Sequence, residues 1–137
     1  MSEIAAIEAA NDEFYAAFET ADLDRMRAVW DDQVEVACVH PGWDTLHGFS
    51  RVMRSWAVIF ANTPYIQFFL SDLQVAVSGD LAVVNCAENI LTAPGEPGGD
   101  AKVVSTNIFR LVGGQWRMTL HHGSPVMRAL VQEDSDE

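Results

Sequence analysis

The spacing of the apolar residues changes once along the chain, and this change most constrains the fold. Before residue 64 apolar residues recur every three or four positions, whereas after it they alternate. The first pattern predicts three amphipathic helices, with a short strand over residues 34–39 between the second and the third. The second predicts four antiparallel strands over residues 66–77, 81–92, 101–112 and 115–122. Helices segregated from an antiparallel sheet are typical of an α+β fold.

Two local patterns refine this prediction. The first helix is expected to present one mostly apolar face, which carries Ile4, Ile7, Asn11, Phe14 and Phe18. In the first long strand the alternation changes phase between Leu70 and Leu73, which predicts a β-bulge that bends the sheet. A bent sheet with helices across its hollow face would enclose a pocket.

The composition restricts the classes of partner. The chain has 137 residues and a net charge of -12, which argues against binding to nucleic acid or to an anionic membrane. We expect one domain over residues 1–126, followed by an acidic, disordered tail over 127–137. No secretion signal and no membrane-spanning run is visible, and Cys38 and Cys86 are predicted to be buried thiols. A cytoplasmic location is therefore expected.

Histidines are the first candidates for chemistry, because their charge changes near neutral pH. His40 is predicted to end a strand just before Pro41, at the mouth of the pocket. Strict alternation along the last strand places His122 on the same apolar face as Trp116 and sends its neighbour His121 to the opposite face. His40 and His122 are therefore the predicted catalytic pair.

Several short motifs of this chain resemble those of a known family. They are residues 21–24 (ADLD), 29–32 (VWDD), 40–43 (HPGW), 46–48 (LHG), 78–80 (SGD) and 121–125 (HHGSP). With the order of the elements, they make the chain similar to the NTF2-like superfamily, in its SnoaL-like, ketosteroid-isomerase-like branch. The resemblance covers residues 3–125. It implies a cone-shaped pocket under three N-terminal helices and a homodimer formed through the sheet.

The superfamily includes isomerases, cyclases, dehydratases and association domains, so residues must be transferred one at a time. His40 stands where ketosteroid isomerases carry their carboxylate base. By its spacing to Asp22, Phe14 stands in the place of the catalytic tyrosine. Phe14 cannot donate a hydrogen bond, and its neighbour Tyr15 would point about 100° away on a helix. Asn107 stands in the place of the second donor to the oxyanion. All three positions differ from the isomerases, which argues against steroid isomerisation.

The remaining candidates concern binding. Trp43, Trp56, Phe14 and Asn107 are predicted to contact a substrate. Glu88 would be an acid or base if its strand face turned inward, but an exposed position is favoured. Asn85 and Asn89, on the opposite strand face, could bond to a ligand or to the sheet backbone. No metal-ligand spacing and no glycine-rich phosphate loop is present, so we expect neither a metal nor a cofactor.

Three functions remain open. The first is the binding of a small, largely hydrophobic molecule. The second is proton transfer on a carbonyl compound, of the isomerase, cyclase or dehydratase type, with His40 or His122 as the base. The third is an oligomerisation domain, for which a pocket filled by Trp43, Trp56 and Phe14 would speak.

Overall fold

The computed structural model describes residues 2–92 and 100–127. The predicted order of elements is confirmed, with one additional short strand, β2. The elements are α1 (Glu3–Glu19), α2 (Leu23–Val29), β1 (Ala37–Val39), β2 (Leu46–His47), α3 (Phe49–Asn62), β3 (Gln67–Ser78), β4 (Leu81–Leu91), β5 (Asp100–Val112) and β6 (Gln115–Pro125). Residues 93–99 and the part of the predicted tail beyond residue 127 lie outside the described residues.

Side-chain caps fix where the first two helices begin. Ser2 Oγ accepts from the backbone N–H of Ala5, and Asp22 Oδ1 accepts from that of Arg25 at 3.0 Å. Each cap satisfies one of the amide groups that a helix start leaves unpaired. Asp22 is thus the N-cap of α2. None of the helices in the described residues is long and apolar enough to cross a membrane.

The six strands form one mixed sheet in the order β2-β1-β6-β5-β4-β3. Strands β3 to β6 are a meander of antiparallel neighbours, whereas β1 runs parallel to β6. The predicted bulge in β3 is confirmed, because the pairing with β4 shifts between Ser71 and Gln74. Asp72 inside this shift has a φ of 52°. The bulge adds local twist, which helps the sheet to curve around the helices.

A second bulge lies in β6, and the spacing of the apolar residues does not reveal it. Ile108 pairs with Leu120, but the next residue, Phe109, pairs with Met118, so that Thr119 is extra. An extra residue inverts the side-chain alternation of the strand beyond it. His121 is consequently buried and His122 is exposed. The expectation that His122 faces the interior is therefore wrong.

The hydrophobic core lies between the helices and one face of the sheet, here called the inner face. Its largest fully buried apolar side chains are Trp30, Trp56, Phe14, Phe109, Ile7, Met26 and Met118. Alternate residues of β4 and β5 point to this core, and their neighbours point to the opposite, outer face. The expected α+β cone, with three helices on a curved, mainly antiparallel sheet, is confirmed.

Candidate functional site

Polar and titratable side chains are concentrated inside the core, between α1, α3 and the inner face. The buried members of this group are Asn11, His40, Ser55, Glu88, Ser105, Asn107 and His121. Burying a polar group costs free energy unless it finds a partner. Clusters of this kind are therefore candidates for a functional site.

His40 follows β1 and is held at the edge of the core. The next residue, Pro41, packs against Gly123 of β6, where an added Cβ would lie 3.1 Å from Pro41 Cγ. Nε2 of His40 lies 2.8 Å from Ser55 Oγ, and that hydroxyl donates to the carbonyl of Val52 at 2.6 Å. Since the hydroxyl hydrogen is used, the imidazole donates from Nε2 and keeps a lone pair on Nδ1.

Burial lowers the pKa of His40 to about 4, so the ring is neutral at physiological pH. Cys38 Sγ lies 3.8 Å from Nδ1 and offers only a weak donor. Trp43 covers the other side, with its ring centroid 4.8 Å from that of His40, and is 44% exposed. Trp43 therefore lies beside His40 at the edge of the core.

His121 is the second interior imidazole, and its single proton lies on the other ring nitrogen, Nδ1. Nδ1 lies 2.6 Å from Asn107 Oδ1, an atom that can only accept. The ring therefore donates from Nδ1 and keeps a lone pair on Nε2, which has no hydrogen bond within residues 2–92 and 100–127. Burial, and to a lesser extent the charges of His40 and His122, lower the pKa of His121 to about 3.

Trp56 of α3 stands between the two imidazoles. Its ring centroid is 4.7 Å from that of His40 and 6.1 Å from that of His121. Phe14 of α1 packs on the same tryptophan at 5.5 Å and on His121 at 4.7 Å. Phe14 and Trp56 are fully buried, and the indole Nε1 has no partner among the described residues. These two predicted contact residues thus fill the space between the histidines.

Glu88 of β4 lies deeper in the same core, where it accepts two short hydrogen bonds. Tyr15 and Ser105 both donate to Oε2, each at 2.5 Å. Burial raises the pKa of Glu88, although the two hydrogen bonds lower it in part. Burial also raises the pKa of Tyr15 well above its usual value. The expectation that Glu88 is exposed is wrong, because its face of β4 turns inward.

Asn107 connects Glu88 and its neighbours to His121. Its Nδ2 donates to Asn11 Oδ1 at 2.9 Å and to the Tyr15 hydroxyl at 3.2 Å, while its Oδ1 accepts from His121. Asn107, on β5, therefore links α1 directly to β6, and it is joined to Glu88 of β4 through Tyr15. Its side chain is fully buried.

Two expectations about side-chain direction need correction. Tyr15 was expected to point away from the core, yet α1 is buried over an arc wide enough for both Phe14 and Tyr15. Phe14 contacts Trp56, and Tyr15 contacts Phe68 at 5.0 Å between centroids. His122, the second predicted catalytic residue, lies on the outer face opposite Thr106. His121 takes the interior position instead.

The residues that sequence reasoning missed are Tyr15, Glu88, His121 and Ser55. Asn11 was the available signal for Tyr15, Glu88 and His121, because an amide within an apolar helix face needs polar partners across the interface. The outer-face asparagines did follow one of the alternatives. Asn85 donates to the carbonyl of Ser105, and Asn89 donates to that of Phe69.

The cluster can accept, hold and donate protons. It offers two neutral imidazoles with free lone pairs and one carboxyl, that of Glu88, whose pKa is raised by burial. No three His, Cys, Asp or Glu side chains converge as a metal-ligand group in the part of the chain that the structure describes. The available chemistry is that of general acids and bases.

This chain is similar to proteins of one known family. A family model described as a SnoaL-like domain matches residues 7–128. A structure of a proposed dehydratase of the NTF2-like family from Streptomyces avermitilis is 42% identical, with a TM-score of 0.84. The match covers 91% of this chain and 96% of that one.

Two further relatives carry different descriptions. A proposed association domain of calcium/calmodulin-dependent protein kinase type II from Thiobacillus denitrificans is 34% identical, with a TM-score of 0.79 over 88% of this chain and 94% of that one. F-box protein SKIP8 from Arabidopsis thaliana is 26% identical over 122 residues, or 89% of this chain. The chain spans 50% of the length of this curated relative.

Proposed function

The chain belongs to the SnoaL-like family of the NTF2-like superfamily, and from this premise we propose that it is a proton-transfer enzyme. Its substrate is a small, largely hydrophobic carbonyl compound, bound between α1, α3 and the inner face of the sheet. The reaction is of the isomerase, cyclase or dehydratase type.

One observation carries the proposal. His40 and His121 are both neutral, and each is anchored through one ring nitrogen, by Ser55 and by Asn107, with a lone pair left on the other. A packed core has no need of two imidazoles so arranged. A general base needs this state, because only an unprotonated nitrogen can accept a proton.

The other polar groups fit defined roles in such a reaction. A histidine base takes a proton from a carbon next to the carbonyl group, and the resulting enolate needs hydrogen-bond donors. Trp56 Nε1 and Asn11 Nδ2 are buried donors that lack a partner among the described residues. The proton then returns to another substrate atom in an isomerisation, or to a leaving hydroxyl group as water in a dehydration. The proposed dehydratase at 42% identity supports this class.

His40 is the preferred base of the two. It lies next to Trp43, which is partly exposed, whereas His121 is enclosed by Phe14 and Trp56. Because Phe14 and Trp56 fill the interior, substrate binding must displace one of these rings. Trp43 and α3 are the elements that stand between His40 and solvent.

Hydrogen exchange tests the proposal without a known substrate. Carbonyl and β-hydroxycarbonyl compounds are incubated with the protein in D2O, and deuterium uptake or loss of water is followed by NMR. We expect His40→Gln to slow turnover of any accepted compound by roughly 10²-fold or more. His122→Gln, at the exposed neighbour of His121, is the matched control and should retain full activity.

The outcome separates the two histidines and the three functions. A similar loss in His121→Gln alone would transfer the base to that residue. If neither substitution changes turnover of any accepted compound, proton transfer by histidine is excluded. If compounds bind without any exchange, the protein is a binding module and not an enzyme.

A second proposal concerns assembly: the protein forms a homodimer through the outer face of the sheet. Large apolar side chains are exposed on this face, namely Phe69, Leu81, Val83 and Val104. Exposed apolar patches of this kind mark interaction surfaces. The relative described as an association domain, at 34% identity, and the filled interior also favour this proposal.

Sedimentation measures this directly. The double substitution of Val83 and Val104 by lysine should convert a dimer to monomers, because two buried charges would oppose each other across the interface. Ile4→Lys, at an exposed apolar position of α1, is the control and should leave the mass unchanged. A wild-type protein that is already monomeric would refute the dimer.

A further inference from the structure

We propose that a groove on the outside of α3 binds the carboxylate of a small organic acid with an apolar body. The groove has a volume of about 390 Å³ and is lined by Trp43, Leu46, Arg51, Arg54, Ser55 and Val58. It lies directly over the His40 end of the interior.

Its charge is the first reason. Only 8 basic residues accompany 20 acidic ones in this chain, yet two of them, Arg51 and Arg54, line one groove. They are three positions apart on α3 and therefore lie on one side of the helix. Both are exposed, and neither forms an ion pair among the described residues.

Other arginines of the chain show that such pairing is available. Arg25 binds Glu13 and Arg110 binds Asp31, each with a contact of 2.8 Å. With a net charge of -12, the rest of the molecule repels anions. The two guanidinium groups of Arg51 and Arg54 supply the opposite potential locally, and the planar fork of arginine matches a carboxylate.

The apolar walls define the rest of the ligand. Trp43 is 44% exposed and Val58 is 51% exposed, and both line the groove with the half-buried Leu46. An indole face beside two guanidinium groups favours an aromatic or branched aliphatic body attached to the acid. A free inorganic anion would leave these apolar walls in water.

The groove also reaches the interior. Ser55 contributes to its lining and hydrogen-bonds to His40 at 2.8 Å, while the Trp43 ring contacts the same imidazole. One layer of side chains thus separates the groove from the proposed base. The inference that the substrate is itself a keto or hydroxy acid, anchored by Arg51 and Arg54, rests on the proposed function. The binding of a carboxylate does not.

A titration with benzoate tests the groove. Chemical shifts of the Trp43 indole N–H and the Arg51 and Arg54 Nε–H groups are followed in the full-length protein. We expect benzoate to shift all three signals, and benzamide, which is neutral and of the same shape, to shift them far less. Arg51→Gln and Arg54→Gln should each weaken benzoate binding roughly tenfold. Lys102→Gln makes the same change of net charge on β5 and should weaken it less than about twofold.

Three results would overturn the inference. They are equal binding of benzamide, equal binding of inorganic phosphate, and an effect of Lys102→Gln as large as those of the arginine substitutions. Titration of His40→Gln separates this inference from the proposed function. That variant should still bind benzoate at the groove. If this variant binds benzoate but turns over every accepted compound like wild type, carboxylate binding in the groove is supported and His40 is excluded as the base.

Discussion

The two ends of the interior hold their histidines in opposite ways. His121 belongs to a network that extends through Asn107 to Asn11, Tyr15 and Glu88, on three strands and a helix. His40 has one hydrogen-bond partner of ordinary length, Ser55, and beyond that residue lies solvent. One end is fixed by many partners, and the other is placed where a ligand can approach.

This difference indicates separate roles for the two histidines, whose imidazoles lie on either side of Trp56 and both contact its ring. A histidine whose hydrogen-bond partner is itself held by further side chains keeps its orientation when a neighbour moves. A histidine beside a partly exposed tryptophan can meet a ligand after a small rearrangement. Substitutions and changes of pH at the two ends test this contrast.

Acid should destabilise the protein through both ends at once. The native pKa values of His40 and His121, about 4 and about 3, lie below that of an unfolded histidine, about 6.5. Between pH 6.5 and pH 4 the unfolded chain therefore binds more protons, and the free energy of unfolding falls as the pH falls. The limiting slope is about 1.4 kcal/mol per pH unit for each histidine. Urea titrations across this range measure it.

Substitutions assign the slope to each end. His40→Gln and His121→Gln should each lower the slope of unfolding free energy against pH by the contribution of about one proton. Glu88 acts in the opposite direction, since its raised pKa lets the native state hold a proton that the unfolded chain has lost. Glu88→Gln should therefore steepen the slope, and a slope unaffected by either histidine would contradict this account.

The network at the His121 end should be the costlier of the two to break. Asn107→Leu leaves a buried donor on His121 and a buried acceptor on Asn11 without partners, and we expect a loss of about 3 kcal/mol in unfolding free energy. Asn85→Leu is the same change on the outer face, where the amide is exposed, and should cost under about 1 kcal/mol. Equal losses in urea denaturation would show that the network does not stabilise the fold.

The fold was predictable from sequence, and the reason is the clear change of apolar period near Pro64. The bulge in β3 was predictable too, because the phase slip between Leu70 and Leu73 is visible in the residues themselves. A bulge shifts the phase of the apolar residues visibly only where the residues that face the core are apolar on both sides of it. The residues of β3 on both sides of the bulge meet this condition.

The candidate site was predicted less well for the opposite reason. In β6 the buried residue beyond the bulge is itself a histidine, so Thr119 leaves no break in an apolar pattern. Tyr15 was missed because a single angle was assumed for the buried face of α1, whereas helix and curved sheet enclose a wider arc. His40 was found because its position before Pro41 is a local feature.

A single hydroxyl at the network end gives a smaller effect. Tyr15→Phe removes one donor to Glu88 and one acceptor of Asn107, and should lower the unfolding free energy by about 1.5 kcal/mol. Tyr65→Phe removes a hydroxyl that bonds to exposed Gln67 and should cost under about 0.5 kcal/mol. The comparison fails if both substitutions cost the same.

The smallest effect is at the His40 end, and it is the sharpest test of the contrast. Ring ¹⁵N shifts at pH 7 should show His40 protonated on Nε2 and His121 protonated on Nδ1, because Ser55 and Asn107 impose opposite tautomers. Ser55→Ala should cost about 1 kcal/mol and let His40 populate both tautomers, while the signals of His121 stay as they are. If the same substitution also mixes the tautomers of His121, the two ends are coupled through Trp56 and act as one unit. The division between a fixed end and an approachable end would then be lost.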